Sequence, residues 1–493
     1  MKLSDILPQN EYTQTRAESI EFTRICHDTR DAEDGCLFVV LPGKKHDALS
    51  LLAKSDLHPA AVIVKSGTDT SNISFPVLSV SSPHRTLAFL WSRTCGSPEK
   101  SLRIYGITGT AGKTSTAEML CAALKKSGRS VGLIGTISCR ANDLIYPESE
   151  GTVTMTTPEP KTLYPLLQNM KERGVTDVVM EISSQALAQE RCAPIEFEVA
   201  VFTNLSPEHL DYHETMENYF RAKASLFEKA RISVLNADDP SYERLLGYAK
   251  AKAVSVSATK EADYRAISAF IGASVSYTWV TKRFSTRLSL GIPGVFTVYN
   301  SLLAAAAATE AGVLPLTVKE AFAEIRMISG RMEKLDTKRF SVGYSIVIDY
   351  AHTPVALRNL LKSVRPLTEG RILLVFGCGG DRDREKRSAM GRIAAEYADF
   401  LIVTADNSRS EAVDLIISDI LKGIPNGYGF RVIKDRKEAI ETALSEAREG
   451  DILLLVGKGH EKYEIRGNLL YPFDEREIVY TWLSEREAKN DAD

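Results

Sequence analysis

A glycine-rich loop between a predicted strand and a predicted helix constrains the fold more than any other feature of this sequence. Residues 102–107 are largely apolar and predict a strand, and the periodicity of residues 114–126 predicts a helix. The stretch 106–114 connects them and reads Gly-Ile-Thr-Gly-Thr-Ala-Gly-Lys-Thr. Glycines let such a loop curl its amide groups around phosphate oxygens, and the helix N-terminus favours the same anion. The loop therefore predicts a nucleotide site in an α/β protein, although Ile107 stands where the strict consensus has glycine.

Two side chains of this loop carry its chemistry. Lys113 would neutralise the β- and γ-phosphates, and the hydroxyl of Thr114 would ligate Mg²⁺. A phosphate loop alone does not separate a ligase from a GTPase switch, a kinase or a motor. The rest of the chain has to decide between these classes.

Strand-like and helix-like segments alternate along the chain, and its length predicts about three domains. Short apolar runs before a polar linker at 96–100 predict a small α/β domain at 1–98. A parallel sheet around the phosphate loop is expected at 99–332, where a capping-box pattern at 317–320 predicts the start of a helix. Further strand-like runs predict a doubly wound, Rossmann-like domain at 333–493.

Composition argues against several classes of protein. Lys and Arg total 61 against 64 Asp and Glu, a net charge of −3, which is not the basic excess of a general nucleic-acid binder. The seven cysteines form no CxxC pair, so neither a zinc site nor a disulfide framework is indicated, and free thiols suit a reducing compartment. No segment has the apolar character of a signal peptide or of a membrane span. We therefore expect a cytoplasmic protein without nucleic-acid or membrane partners.

Three further polar residues are candidates for the chemistry. Glu181 ends an apolar strand in the same predicted sheet as the loop, where a carboxylate can hold Mg²⁺ directly or through water. A solvated acid at a strand end is the plainer alternative. His209 alone would more often be a structural or surface histidine, and Lys223 alone would be an ordinary helix lysine.

Seven short segments occur in a fixed order along the chain. They are residues 109–114, 180–184, 202–213, 299–300, 330–333, 349–354 and 457–461. Together they resemble the Mur ligases of peptidoglycan synthesis, and within that family the MurE branch, which adds the third residue of the stem peptide. The resemblance covers nearly the whole chain. It implies one domain for a UDP-sugar, a central ATPase domain and a C-terminal domain for the incoming amino acid, in agreement with the boundaries above.

The resemblance implies a site for ATP and Mg²⁺. Lys223 matches a lysine that the family carbamylates with CO₂, which would convert a cation into an anionic metal ligand. Arg331 matches a contact to the γ-phosphate. The implied catalytic residues are Lys113, Glu181, His209, Lys223 and Arg331, and the implied metal ligands are Thr114, Glu181, His209 and Lys223. The implied ATP site comprises Gly109, Thr110, Ala111, Gly112, Lys113, Thr114, Ser115, Asn300, Arg331, Asp349 and His352.

The resemblance also implies two further small-molecule substrates. The positions matching those that bind UDP-MurNAc-L-Ala-D-Glu are Thr29, Lys44, Lys45, His46, Thr156, Thr157, Ser183, Gln189 and Arg191. This substrate carries a diphosphate and carboxylates, which cationic and hydroxyl side chains bind well. The positions matching the amino-acid pocket are Arg387, Asp406, Asn407, Ser408, Arg409, Gly457 and Glu461.

Arg409 stands where family members that use meso-diaminopimelate carry arginine, and members that use L-lysine form the other main group. Diaminopimelate is lysine with an extra carboxylate, which a guanidinium can bind bidentately while Glu461 pairs with the distal ammonium. Ser408 replaces the family's usual proline, so the loop loses a fixed φ. This departure weakens the assignment of the amino acid.

We therefore expect an ATP-dependent ligase, acting as a monomer, that adds meso-diaminopimelate to the dipeptide substrate through an acyl phosphate. One alternative is the same ligase with L-lysine. Another is a folylpolyglutamate synthetase-like ligase, which uses the same chemistry but lacks the domain that here precedes the phosphate loop. In a different class, a non-catalytic nucleotide switch would not need the segment at 457–461. A nicotinamide oxidoreductase is suggested only by the glycines within 377–380, which is a weak signal.

Overall fold

The computed structural model describes residues 1–14, 19–42, 48–53, 55–147 and 155–490. Three sheets follow one another along the chain, and a hairpin lies near its C-terminal end. Each of the three is built mainly from parallel strands with helices between them, so the predicted α/β class with three successive sheets is confirmed. The domain boundaries at 98 and 332 stay a prediction.

The N-terminal sheet has the strand order β1-β5-β4-β3-β2 and is parallel except at β1. Its strands are β1 (Thr13–Gln14), β2 (Ile25–Cys26), β3 (Leu37–Val39), β4 (Ala61–Lys65) and β5 (Val77–Val80). Its helices are α1 (Leu3–Ile6), α2 (Ala48–Ala53) and α3 (Pro83–Thr94). Residues 61–64 of β4 are fully buried because both faces of the sheet are covered, which explains their continuous apolar run.

The central sheet has the order β16-β15-β14-β13-β12-β11-β6-β10-β7-β8-β9. Its strands are β6 (Arg103–Thr108), β7 (Val131–Ile134), β8 (Cys139–Ala141), β9 (Leu144–Ile145), β10 (Asp177–Glu181), β11 (Phe197–Phe202), β12 (Ala230–Asn236), β13 (Lys252–Ser257), β14 (Tyr264–Ile271), β15 (Val275–Thr281) and β16 (Ser285–Leu290). Pairing is parallel from β14 to β7 and antiparallel beyond both of these strands. β6 therefore lies inside the parallel part, between β10 and β11.

Helices flank this sheet on both faces. They are α4 (Lys113–Lys126), α5 (Pro160–Glu172), α6 (Ser184–Ala188), α7 (Leu210–His213), α8 (Met216–Ala224), α9 (Tyr242–Leu246), α10 (Val295–Glu310) and α11 (Pro315–Glu324). The alanine-rich residues 304–308 of α10 are buried against α4. The predicted helix start at 317–320 is wrong, because α11 begins at Pro315, whose fixed φ suits the first turn.

The C-terminal sheet has the order β17-β18-β22-β19-β20-β21 and is parallel except at β17. The strands of this region are β17 (Glu333–Lys334), β18 (Ser345–Asp349), β19 (Ile372–Phe376), β20 (Phe400–Val403), β21 (Phe430–Val432), β22 (Ile452–Val456) and the hairpin β23 (Tyr463–Arg466) and β24 (Leu469–Pro472). Its helices are α12 (Pro354–Val364), α13 (Glu385–Tyr397), α14 (Val413–Leu421), α15 (Arg436–Glu446) and α16 (Glu475–Asn490). The predicted doubly wound sheet is confirmed, and the loops after β18, β19, β20 and β22 emerge at one edge. Among the helices of the described ranges, none has the length and apolar character that a membrane span requires.

Candidate active site

The phosphate loop follows β6 and ends in the first turn of α4. Gly109 and Gly112 have φ values of 148° and 88°, in the region that favours glycine. A Cβ atom at Gly112 would lie 2.4 Å from Oδ1 of Asn300, so glycine is needed for α10 to approach the loop. Nζ of Lys113 donates to the carbonyls of Gly109 and Thr110, at 2.9 Å each. The curled loop and its lysine are thus fixed by local contacts.

Thr114 and Glu181 meet at the carboxyl ends of two neighbouring strands. β10 runs parallel to β6, which brings Glu181 beside the loop. Oγ1 of Thr114 donates to Oε2 of Glu181 at 2.9 Å, and Thr136 donates to both oxygens of that carboxylate. Nη2 of Arg331 donates to the same threonine oxygen at 3.1 Å. One hydroxyl, one carboxylate and one guanidinium are therefore gathered beside the phosphate loop.

Glu208 is a carboxylate of this site that sequence reasoning missed. Its Oε1 is 3.1 Å from Nε2 of His352, and its Oε2 is 3.8 Å from Nε2 of His209. Burial alone would raise the pKa of Glu208, but His352, His209 and Lys113 hold it well below its usual range. Burial lowers the pKa of His209 to about 4, so its imidazole is neutral near pH 7. The only sequence signal for Glu208 was its position next to His209.

Lys223 lies behind the phosphate loop and is 2 % exposed. Its Nζ donates to the carbonyl of Gly109 at 2.8 Å and stands 4.5 Å from the ring centre of Tyr219. Burial, together with the charge of Lys113, lowers the pKa of Lys223 well below its usual value. The surroundings therefore favour the uncharged amine.

A cavity of about 580 Å³ lies over the loop, between the central and C-terminal sheets. It is lined by ten of the predicted ATP residues, namely Thr110, Ala111, Gly112, Lys113, Thr114, Ser115, Asn300, Arg331, Asp349 and His352. Thr156, Glu181 and His209 line it as well. Phe296, which sequence reasoning did not single out, and Tyr299, which it noticed only as part of a motif, add aromatic surface to its wall. The structure thus brings most of the predicted ATP site to one space.

Four residues predicted for the nucleotide-sugar substrate form one hydrogen-bonded cluster. Oγ1 of Thr157 donates to the carbonyl of Glu181 and accepts from the amide of Ser183. Nη1 of Arg191 donates to the carbonyl of Thr157 at 2.7 Å, and Nε and Nη2 donate to Oε1 of Gln189. Burial lowers the pKa of Arg191, so an anionic ligand would stabilise its charge. This cluster adjoins the carboxylate that faces Thr114.

Other residues predicted for this substrate lie nearer the N-terminal sheet. Thr29 begins a short 3₁₀ turn, Thr29–Asp31, and Nζ of Lys161 in α5 is 3.2 Å from Oδ2 of Asp31. That contact holds the turn near the start of α5, a few residues after Thr156 and Thr157. The predicted residues Lys44, Lys45 and His46 lie outside the described residues.

The residues predicted for the amino-acid pocket lie on the loops after β20 and β22. A Cβ atom at Gly457 would lie 2.5 Å from Oδ2 of Asp406, so glycine lets the two loops meet. Nδ2 of Asn407 donates to Oε2 of Glu461 at 2.8 Å. Arg409 has a φ of 50°, and its Nη1 donates to the carbonyl of Gly380 at 2.9 Å. Ser408, between these residues, is buried. Asp406, Asn407, Arg409 and Glu461 therefore surround one polar site.

Arg387 differs from the other residues predicted for this pocket. It is fully buried, and its guanidinium donates to both oxygens of Glu411 at 2.8 and 3.0 Å and to Asp419 at 3.1 Å. Because its charge is already paired, this arrangement favours a role in holding α13 and the loop before α14 together. Sequence reasoning could not foresee the pairing, since Glu411 and Asp419 lie 24 and 32 positions further along the chain.

Tyr350 connects the phosphate side of the site to the amino-acid side, and sequence reasoning noticed it only as part of a motif. The guanidinium of Arg331 lies over its ring, 4.7 Å from the centre. Its hydroxyl donates to Oε1 of Glu461 at 3.4 Å. The rings of His352 and His460 lie 4.8 and 5.0 Å away. A single ring therefore contacts both Arg331 and Glu461.

The side chains beside the loop suit a hard cation. In the described part of the chain, no three His, Cys, Asp or Glu side chains cluster as a metal site. The hydroxyl of Thr114 and the carboxylate of Glu181, however, are oxygen donors of the kind that Mg²⁺ prefers, with phosphates as its remaining ligands. His209 and Lys223 instead face Glu208 and Gly109. The residues present fit Mg²⁺ at Thr114 and Glu181.

Two family models match the chain. The Mur ligase middle domain matches residues 107–308, and the glutamate ligase domain of Mur ligases matches residues 330–459. A UDP-N-acetylmuramoyl-L-alanyl-D-glutamate–2,6-diaminopimelate ligase of Clostridium botulinum is 37 % identical over 98 % of this chain and 100 % of its own length. A ligase of the same name from Caldanaerobacter subterraneus is 38 % identical over 99 % of this chain and 100 % of its own.

A solved structure agrees with these matches. It belongs to a ligase of the same name, is 28 % identical in sequence and superposes with a TM-score of 0.63. The match covers 94 % of this chain and 95 % of that chain. The chain therefore belongs to the Mur ligase family, in the branch formed by the UDP-N-acetylmuramoyl-L-alanyl-D-glutamate–2,6-diaminopimelate ligases.

Proposed function

We propose that this chain is an ATP-dependent amide ligase that joins meso-diaminopimelate to the D-Glu of UDP-MurNAc-L-Ala-D-Glu through an acyl phosphate. The observation that carries the proposal is the continuous contact from Thr114 through Arg331 and Tyr350 to Glu461. This chain of contacts joins the residues proposed to bind phosphate to those proposed to bind an amino acid. The chain is similar over its full length to diaminopimelate ligases. This similarity supports the proposed function over the alternatives of a folylpolyglutamate synthetase-like ligase and a nucleotide switch.

The first step transfers the γ-phosphoryl group of ATP to the side-chain carboxylate of D-Glu. A carboxylate oxygen attacks the γ-phosphorus, and the bond from that phosphorus to the bridging oxygen breaks, so that ADP leaves. Lys113 and Arg331 bear the positive charges that stabilise the oxygens of the transferred group. Mg²⁺ held by Thr114 and Glu181 would neutralise further phosphate charge.

The second step forms the amide. The amine nitrogen of the diamino acid attacks the acyl carbon, phosphate leaves, and the nitrogen loses a proton. The loops after β20 and β22 present the amine from the C-terminal sheet, while the phosphate loop belongs to the central sheet. Movement between these two parts is expected to control the reaction, since its two sites lie on different sheets.

We infer that Arg409 selects diaminopimelate over lysine. Burial and the positive charge of the neighbouring Arg382 lower the pKa of Arg409. A bound carboxylate would therefore stabilise the charged guanidinium. Glu461 is then placed to pair with an ammonium group. L-Lysine has no second carboxylate and leaves the guanidinium without its anion.

Lys223 is proposed to carry a carbamate. Its uncharged amine, favoured by burial, is the form whose lone pair attacks the carbon of CO₂, with loss of one N–H proton. The product is an anion beside the Gly109 carbonyl, in a place where a second Mg²⁺ would offset its charge. The chain is further proposed to act in the cytoplasm as a monomer, on small molecules alone.

Phosphate release with Mg-ATP and UDP-MurNAc-L-Ala-D-Glu tests the function. Three reactions are compared, with meso-diaminopimelate, with L-lysine and without amine. Release that depends mainly on meso-diaminopimelate supports the ligase and its pocket. Preference for lysine retains the ligase and rejects the role of Arg409. ATP binding without amine-dependent release rejects the reaction.

A further inference from the structure

Lys458 is a buried cation to which neither the proposed chemistry nor the family resemblance assigns a role. It follows β22 and is fully buried. An ammonium group has three donors. Those of Lys458 point at Oδ1 of Asn407, at 2.8 Å, at Oε2 of Glu461, at 3.3 Å, and at the carbonyl of Tyr463. With all three donors engaged by the protein, Lys458 is placed to organise its neighbours rather than to bind a substrate itself.

The contacts of Lys458 join three separate segments. Asn407 follows β20, Glu461 follows β22, and Tyr463 begins the β23 hairpin. In the sheet, β20 and β22 are not neighbours, because β19 lies between them. The lysine therefore spans the end of β19 and joins the loops that follow two strands not paired with each other.

Lys458 also determines which way the amide of Asn407 faces. Oδ1 of Asn407 accepts hydrogen bonds from Nζ of Lys458 at 2.8 Å and from the backbone amide of Ile465 at 2.9 Å. Both of these groups can only donate. The oxygen of the amide is thereby fixed towards them, and Nδ2 must face the other way. Nδ2 donates to Oε2 of Glu461, whose Oε1 accepts from the hydroxyl of Tyr350. Both oxygens of the glutamate are thus held in one orientation.

We propose that Lys458 is a positioning residue of the amine pocket, fixing the Asn407 amide and the Glu461 carboxylate in the orientation that receives an ammonium group of the diamino acid. This inference rests on the proposed function. It adds a residue that touches no substrate, yet decides how strongly one particular substrate binds.

The charge of Glu461 offers a readout that packing alone would not change. Burial raises its pKa, and Lys458 acts against this, while Asp406 raises it further. Tyr350 and Arg409 are the other titratable groups facing it. Without Lys458, Glu461 keeps its proton to higher pH, and the protonated carboxyl group binds an ammonium group less well.

The test measures KM for meso-diaminopimelate, for ATP and for UDP-MurNAc-L-Ala-D-Glu in the full-length protein. Lys458→Met is expected to raise KM for meso-diaminopimelate about tenfold or more, with the other two KM values within about twofold. KM for meso-diaminopimelate is also expected to fall more steeply with rising pH than in the wild type, because Glu461 then loses its proton at higher pH. Lys437→Met, at an exposed lysine of α15, is the matched control and should change none of these values.

Asn407→Asp provides a second test that does not remove the buried cation. The aspartate still accepts from Lys458 and Ile465 but replaces the donor to Glu461 with an acceptor, so it should also raise KM for meso-diaminopimelate. If the wild type is active and KM for meso-diaminopimelate is unchanged in folded Lys458→Met or in Asn407→Asp, the inference is wrong and the proposed function stands. Equal changes in all three KM values, without the altered pH dependence, likewise reject it. A wild type that does not use meso-diaminopimelate overturns both.

Discussion

Arg331 and Thr114 lie 217 positions apart in the chain and are joined by a hydrogen bond of 3.1 Å between Nη2 and Oγ1. The arginine belongs to the segment that leads into the C-terminal sheet, and the threonine belongs to the phosphate loop. Their contact places a guanidinium beside the hydroxyl and the carboxylate proposed to hold Mg²⁺. It also makes the position of Arg331 sensitive to how the two sheets are arranged.

We predict that Arg331→Lys lowers kcat about a hundredfold or more, with little change in KM for ATP. Lysine keeps the charge but loses the planar fork that reaches both Thr114 and the transferred phosphoryl group. Steady-state phosphate release measures both constants. Arg326→Lys, at an exposed arginine of the same segment, should behave as wild type. Wild-type kcat in Arg331→Lys would contradict the proposed role.

Arg409→Gln is expected to raise KM for meso-diaminopimelate about tenfold to a hundredfold, because one charge-assisted pair is lost. The use of L-lysine should stay as in the wild type or improve, since lysine lacks the second carboxylate proposed to pair with the guanidinium. A competition assay with both amines gives the ratio directly. Arg431→Gln, on the exposed β21, serves as the control. If the ratio of meso-diaminopimelate to L-lysine used is unchanged, Arg409 does not determine which amino acid is used.

Both Lys223→Met and Lys223→Arg should lose most of the activity. Methionine preserves the buried volume and arginine preserves the charge, but neither can form the carbamate. Labelled bicarbonate should give a carbamate signal in the wild type that is missing from both variants. Lys250→Met, at an exposed lysine, is the control. An active Lys223→Arg enzyme would show that a cation suffices there.

His460 should make the stability of the protein depend on pH. Burial and the charges of Arg331 and Arg476 lower its pKa to about 3, from a usual value of 6.5. Between these values the unfolded chain binds a proton that the folded chain does not, so the free energy of unfolding falls as pH decreases from 6.5 towards 3. The slope is at most about 1.4 kcal/mol per pH unit for one group.

Urea unfolding of the wild type and of His460→Gln over this range measures that contribution. The variant should show a shallower decline in the free energy of unfolding. His58→Gln, at an exposed histidine, should keep the wild-type slope. Parallel slopes for His460→Gln and the wild type would show that the imidazole is not held in its neutral form.

The sequence predicted the fold well because buried parallel strands and the helices between them leave strong local patterns. β6, α4 and the loop between them lie where residues 102–126 indicated. The start of α11 was predicted wrongly because a proline at the first helical position and a capping-box pattern both occur within a few residues.

The parts of the site that were missed depend on contacts between distant segments. Glu208 contacts His352, which lies 144 positions further along the chain, and Tyr350 contacts Glu461, which lies 111 positions further along. Local sequence gives only weak signals for them, the position of Glu208 next to His209 and the place of Tyr350 within the motif at 349–354. For Arg387 the resemblance implies a ligand contact, which stays a prediction, and the ion pairs with Glu411 and Asp419 could not be read from the sequence.

The strand order of the C-terminal sheet has a consequence for how the chain matures on the ribosome. β18 and β19 are synthesised before β22, but they do not pair with each other. Each of them pairs with β22, which lies between them in the sheet. The phosphate loop and all its sheet neighbours are complete much earlier in translation. A nascent chain can thus complete its phosphate loop while two unpaired strand edges remain exposed to aggregation. Arg331, Asp349 and His352 of the proposed ATP site are made later, and the loop after β22, which carries Glu461, is made after all of them.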